Sequence, residues 1–172
     1  MNNQVIKRQV DEFGRIVIPK DIRRQANINP RDYITITCNN NRVELEKNNY
    51  NDKIKGICNE IIKHFYNVFK NNIIVTDKEK ILMCYGENQE ELEHKTISKE
   101  LFDMINDGNL SIARLKSIKI TDSEYLKGQY YYIPIKQDNY NIGSIIIDDN
   151  NCNDVIIEFM FKIINNNLTI HT

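Results

Sequence analysis

The spacing of apolar residues changes period several times along the chain, and each change marks an element. Tyr33 to Cys38 alternates strictly, with Ile34, Ile36 and Cys38 on one face and Tyr33, Thr35 and Thr37 on the other, which predicts a strand. Asn39-Asn40-Asn41 turns the chain into Arg42–Lys47, where Val43 and Leu45 alternate with Glu44 and Glu46. Upstream, Val5–Val10 and Arg15–Ile18 read as short strands joined by Asp11-Glu12-Phe13-Gly14, with Gly14 available for positive φ. Pro19 cannot donate to a ladder but suits the first turn of a helix, so Lys20–Ala26 predicts about two helical turns. Asn29-Pro30-Arg31-Asp32 is a loop.

After a polar joint, Asn48–Asp52, the period lengthens. Ile54, Ile57, Cys58, Ile61, Ile62, Phe65, Val68 and Phe69 give Lys53–Lys70 the spacing of an amphipathic helix. Ile73–Val75 and Ile81–Cys84 read as strands joined across Asp77-Lys78-Glu79. A short helix runs from Ser98, its N-cap, to about Asn106, and Ser117–Ile120 reads as an edge strand. Gln129–Lys136 and Ile142–Asp148 form a hairpin around turn chemistry at Asp138, Asn139, Asn141 and Gly143. The final helix, Asn153–Asn167, carries more apolar residues than one core-facing stripe needs.

The 172 residues allow one ordinary domain or two small ones, and 41% hydrophobic with 27% charged residues excludes disorder. No run is long and apolar enough to span a membrane, and Met1–Gln4 offers no leader. Cys38, Cys58, Cys84 and Cys152 stand far apart, which excludes a zinc ribbon or disulfide framework and predicts reduced thiols in the cytoplasm. A first unit of about 50 residues without metal or disulfide buries too little apolar surface to stand alone, so an obligate dimer is expected there. The 25 Asn, 30 Ile and the excess of Lys over Arg (16 to 7) point to an A+T-rich genome, so the Asn runs read as drift. Arg is different: Arg8, Arg15, Arg23, Arg24, Arg31 and Arg42 lie in the first 42 residues, and only Arg114 lies beyond. Residues 1–50 hold 9 basic and 6 acidic groups, net +3, whereas residues 51–172 hold 14 and 18, net −4. A basic head on an acidic body predicts an anionic partner for the head.

At about 100° per residue, Lys20, Arg23 and Arg24 share one helix face, and Ile22 and Ala26 share the opposite, anchoring one. Lys7, Arg8 and Arg15 lie on the adjacent hairpin. A dimer doubles these cations into a strip suited to phosphate backbones, with Arg suited also to guanine edges.

Val10-Asp11-Glu12-Phe13-Gly14-Arg15-Ile16-Val17-Ile18-Pro19-Lys20-Asp21-Ile22-Arg23-Arg24 closely resembles the N-terminal motif of the AbrB family of bacterial transition-state regulators. Tyr33–Ile36 and Val43-Glu44-Leu45 are similar to its closing strands. The second half resembles the subgroup of stage V sporulation protein T, in which an AbrB-type domain precedes a GAF domain; Ile73–Asp77, Lys95–Ser98 and Ile142–Ile147 carry that weaker likeness. The resemblance implies an α+β protein: an AbrB-like swapped-hairpin β-barrel over residues 1–50, which dimerises, then an α/β GAF-like domain with flanking helices over 53–172. It implies that arginines matching Arg8, Arg15, Arg23 and Arg24 face DNA. Gln9 departs from a position often basic in relatives.

Catalysis is not expected. His64, His94 and His171 lack matched Cys or Asp spacing, and no G-x-S-x-G, Walker or H-E-x-x-H pattern occurs. Asp148-Asp149 reads either as a cation-binding pair or, more ordinarily, as solvated turn residues; Tyr130-Tyr131-Tyr132 lines a ligand pocket or, more ordinarily, packs. The resulting expectation is a cytoplasmic, nucleoid-associated regulator with no cofactor or metal. It binds double-stranded DNA through Lys7, Arg8, Arg15, Lys20, Arg23 and Arg24, as a homodimer joined into a homotetramer by the C-terminal helices. A small-molecule ligand for the GAF-like domain stays unidentified. The rival is an AbrB-type antitoxin that binds a toxin protein and regulates its own operon.

Overall fold

A computed structural model describes residues 5–28, 30, 34–47, 50–87, 89–137 and 140–169. The chain divides into two compact units, Met1–Asn49 and Tyr50–Thr172. Tyr33, the loop residues Asn29, Arg31 and Asp32, the joint residues Asn48 and Asn49, the turn residues Asp138 and Asn139, and His171 lie outside the described residues.

In the first unit, helix α1 (Lys20–Gln25) follows Pro19, whose carbonyl accepts the Arg23 N–H at 2.9 Å. Asn27 ends it in the left-handed region at φ 54°, with Ile28 N–H bonded to Arg23 O at 2.7 Å and Asn27 N–H to Arg24 O at 3.1 Å, a Schellman stop. Strands β1 (Ile34–Asn39) and β2 (Arg42–Lys47) pair antiparallel, Ile36 opposite Leu45 and Cys38 opposite Val43. Asn40 and Asn41 both have positive φ (49° and 64°), the requirement of a two-residue hairpin turn, so this Asn run is a structural choice as well as a compositional one.

The expected strands Val5–Val10 and Arg15–Ile18 do not form within one chain. Neither joins a sheet among the described residues; the bonded part is their turn, where Asp11 N–H reaches Arg15 O and Gly14 N–H reaches Asp11 O, each at 3.0 Å. A strand exists only against a ladder partner, and Val5, Val10, Ile16 and Val17 are exposed. Ala26, expected in the anchor of α1, is also exposed, while Ile22 is half-buried.

The second unit is a three-layer sandwich. Its antiparallel sheet runs β4 (Ile81–Tyr85), β3 (Ile73–Thr76), β7 (Tyr140–Asp148), β6 (Tyr125–Gln137), β5 (Ala113–Lys119). Helices α2 (Tyr50–Phe69) and α5 (Asp154–Thr169) cover one face through Ile54, Cys58, Ile62, Ile157, Met160 and Ile164. The other face lies under α3 (Gln89–Leu92) and α4 (Lys99–Asn106), with Leu101 and Ile105 buried against Ile74, Ile118 and Ile146. Period-2 alternation sends Ile145 and Ile147 to the first layer and Ile146 to the second. Ser98 caps α4 by accepting the Leu101 N–H at 3.1 Å.

Several expectations shift. Helix α2 begins at Tyr50, three residues before Lys53, so the last residues of the expected joint are helical. The four-residue α3 gave no periodic signal. Gly143 is not a turn residue: it sits in β7, where a Cβ would stand 2.1 Å from Thr76 O. Asp148 is not a solvated turn residue. It is 5% exposed, and its carboxylate accepts Asn71 Nδ2 at 2.6 Å, Asn72 N–H at 3.0 Å and Asn72 Nδ2 at 2.8 Å. That knot ties the end of β7 to the start of β3. Tyr131 and Tyr132 are buried in opposite layers, as packing predicts.

Candidate nucleic-acid interface

Every expected DNA contact lies in the first unit, in residues 7–24. Lys7, Arg8, Arg15, Lys20 and Arg24 are exposed and Arg23 is half-buried. Lys7, Arg8, Lys20, Arg23 and Arg24 make no ion pair among the described residues, so each keeps its charge free for an anion. Lys20, Arg23 and Arg24 stand on the two turns of α1, whose C-terminal carbonyls are already bonded by Asn27 and Ile28. Lys47 donates to Asn27 O at 2.6 Å, which fastens the end of β2 to the end of α1.

Arg15 is the exception. Asp11 Oδ2 accepts its Nε at 2.8 Å, while Oδ1 accepts the Arg15 N–H at 2.8 Å and the Phe13 N–H at 3.0 Å. The guanidinium lies over the Phe13 ring, 4.9 Å from its centroid. One carboxylate therefore closes the turn and aims the arginine. The Arg15 N–H first, then the guanidinium and the Phe13 N–H, hold the Asp11 carboxyl below its ordinary pKa. Pairing does not remove Arg15 from use, because its side chain remains 71% exposed. Sequence reasoning took Asp11 only as a turn former; the signal for more was its spacing, an Asp four residues before an Arg across a Gly-containing turn.

Among the described residues, no group of three or more His, Cys, Asp or Glu is placed to hold a metal. The four cysteines are free, and burial pushes the thiols of Cys58 and Cys84 up to about 12, far from thiolate chemistry. Arg114, the lone arginine of the second half, is structural: it donates to Tyr131 Oη and, at 2.9 Å, to Asp154 Oδ1. No helix among the described residues is long and apolar enough to cross a membrane.

Residues 53–166 match the family described as stage V sporulation protein T C-terminal, transcription factor. The chain belongs to this family. Residues 7–53 match a second family, described as antidote-toxin recognition MazE, bacterial antitoxin. Stage V sporulation protein T of Bacillus subtilis (strain 168) is 25% identical over 146 residues, covering 83% of this chain and 82% of that protein. The AbrB-type resemblance of residues 10–24 falls inside the second match, and the first covers all but the outer ends of the sandwich. In this stage V sporulation protein T-type transcription factor, the free cations thus lie in one unit and the family-defining match in the other.

Proposed function

We propose that this protein is a sequence-selective DNA-binding transcriptional regulator whose first unit reads DNA and whose second unit sets the geometry of the assembly. The observation that carries the reading is the set of unpaired cations, Lys7, Arg8, Lys20, Arg23 and Arg24, beside an Arg15 aimed by Asp11. Cations without internal partners keep their full attraction for phosphates, and a fixed guanidinium suits a base edge or a phosphate at a defined place.

The uncovered apolar residues of the first unit, Val5, Val10, Ile16 and Val17, support a swapped-hairpin homodimer in which a second copy supplies the missing ladder. The second unit supports a GAF-like assignment by its five-stranded sheet with helices on both faces. Val155 and Phe159, exposed at successive turns of α5, support joining dimers into a homotetramer there. The process is sporulation, as the relative's name suggests, and the protein works on DNA in the cytoplasm without catalysing a reaction.

The antitoxin reading keeps one support, the match over residues 7–53. The regulator reading is favoured because residues 53–166 are a folded sandwich of a transcription-factor family rather than a short tail. Selection from a random duplex pool by the full chain tests it. Enrichment of one sequence by the wild type, lost in Arg15→Ala/Arg23→Ala/Arg24→Ala with secondary structure intact, is expected; no enrichment overturns it.

A further inference from the structure

The face under α3 and α4 is filled by side chains, but a cleft of about 360 Å³ opens at the edge strand β4, between α2 and the segment following α3. Its floor is Leu82 and Met83, both buried. Glu93 walls one side with its Oε1 held by the Cys84 N–H at 3.1 Å, which also caps the edge where another strand would bond. Asn59 is occupied by the Tyr85 hydroxyl at 2.8 Å. Lys55 and His94 are left. Lys55 is half-buried on α2 and makes no ion pair among the described residues. His94 stands at the rim on a backbone at φ 69°, held there by its N–H to Ile81 O at 2.9 Å.

Half-buried Lys55 lines this cleft beside an apolar floor and makes no ion pair with the Glu93 carboxylate on its wall among the described residues, so its charge is open to an anionic ligand. We propose that this cleft binds a small monocarboxylate with a short aliphatic chain, its carboxylate at Lys55 and His94 and its chain over Leu82 and Met83. The cleft has room for a ligand of that size, with an apolar floor for its chain and the Lys55 and His94 side chains for its head. The fixed carboxylate of Glu93 repels multiply charged anions, which selects a single negative charge. The inference rests on the proposed geometry-setting role of the second unit for any consequence at DNA, while binding itself stands apart from that role.

The test uses full-length protein labelled with 13C at the methionine methyls, titrated with sodium n-butyrate at constant ionic strength. A saturable shift of the Met83 methyl is expected, with Met160, buried on the sheet-facing side of α5, unmoved. Lys55→Gln should weaken binding about tenfold, the worth of one charge-assisted hydrogen bond, and Lys55→Arg should retain it. n-Butylamine, with the same chain and opposite head charge, should produce no saturable shift. If Lys55→Gln displaces Met160, His94→Gln replaces it and should weaken binding several-fold. No saturable Met83 shift, equal shifts with butylamine, or unchanged affinity in the variant overturns the proposal. DNA affinity in the same samples is read separately: butyrate bound without effect there upholds the cleft and removes only a coupling of the cleft to DNA binding.

Discussion

Tyr131 donates its phenol to Asp154 Oδ1 at 2.8 Å, which fastens the first turn of α5 to the middle of β6. Arg114 completes the clasp from β5, with its guanidinium 4.8 Å from the Tyr131 ring centroid. Burial, then the bond to Asp154, pushes the phenol up to about 12, so Tyr131 stays a proton donor at any ordinary pH. The Tyr131 bond first, then Arg114, holds Asp154 below its usual carboxylate range. A depressed carboxyl contributes stability above its unfolded pKa, near 4, and loses it as pH falls through the lower folded value. Tyr131→Phe should cost about 1 kcal/mol in urea unfolding at pH 7. The difference from wild type should shrink below pH 4; a constant difference down to pH 2 would remove Asp154 from the clasp.

Gly143→Ala should be among the most damaging single-methyl changes in the second unit. The new Cβ meets the backbone carbonyl of Thr76 at 2.1 Å, and strand backbone cannot retreat as a flexible side chain would. A loss of roughly 1–3 kcal/mol is expected, seen as a lower denaturant midpoint with an unchanged slope. A midpoint equal to wild type would mean β3 and β7 are not held together there.

Gly143 also shows how sequence and structure part company. Its neighbours Asp138 and Asn139 made it look like turn chemistry, yet close approach of two strands, invisible in one dimension, explains it. Strands with both faces buried, Ile73–Thr76 and Tyr140–Asp148, were legible because their apolar runs are bounded by polar breaks. Ser98 was legible as a cap because capping is local. Asp148 was not, because its partners Asn71 and Asn72 come from 77 and 76 residues away. Val5–Val10 and Arg15–Ile18 read as strands on either side of the Asp11–Gly14 turn, but a strand also needs a ladder that one chain does not supply among the described residues. The cations of residues 7–24 were legible as a cluster; the aiming of Arg15 by Asp11 was not.

Asp11→Ala separates placement from charge. Deleting a carboxylate beside the cations of residues 7–24 raises affinity for DNA if charge alone matters. Losing the acceptor of three N–H donors frees the turn and Arg15, which lowers affinity. We expect a several-fold loss in fluorescence anisotropy with a short duplex, and tighter binding would contradict the placement of Arg15.

Phe159→Glu places a charge on the exposed stripe of α5 without touching the buried Met160 and Ile164. Light scattering of the full chain should show the particle mass halved, dimer in place of tetramer. Unchanged mass would mean that α5 does not join the dimers.

The central claim is that unpaired cations of the first unit bind DNA, and the salt dependence of duplex affinity tests it most directly. If a dimer neutralises roughly 6 to 10 phosphates, log K falls with log salt at a slope of about −5 to −9. Arg24→Ala removes one contact per chain and should reduce that slope by roughly 2 per dimer. A slope near zero, or one that Arg24→Ala leaves unchanged, would contradict the account.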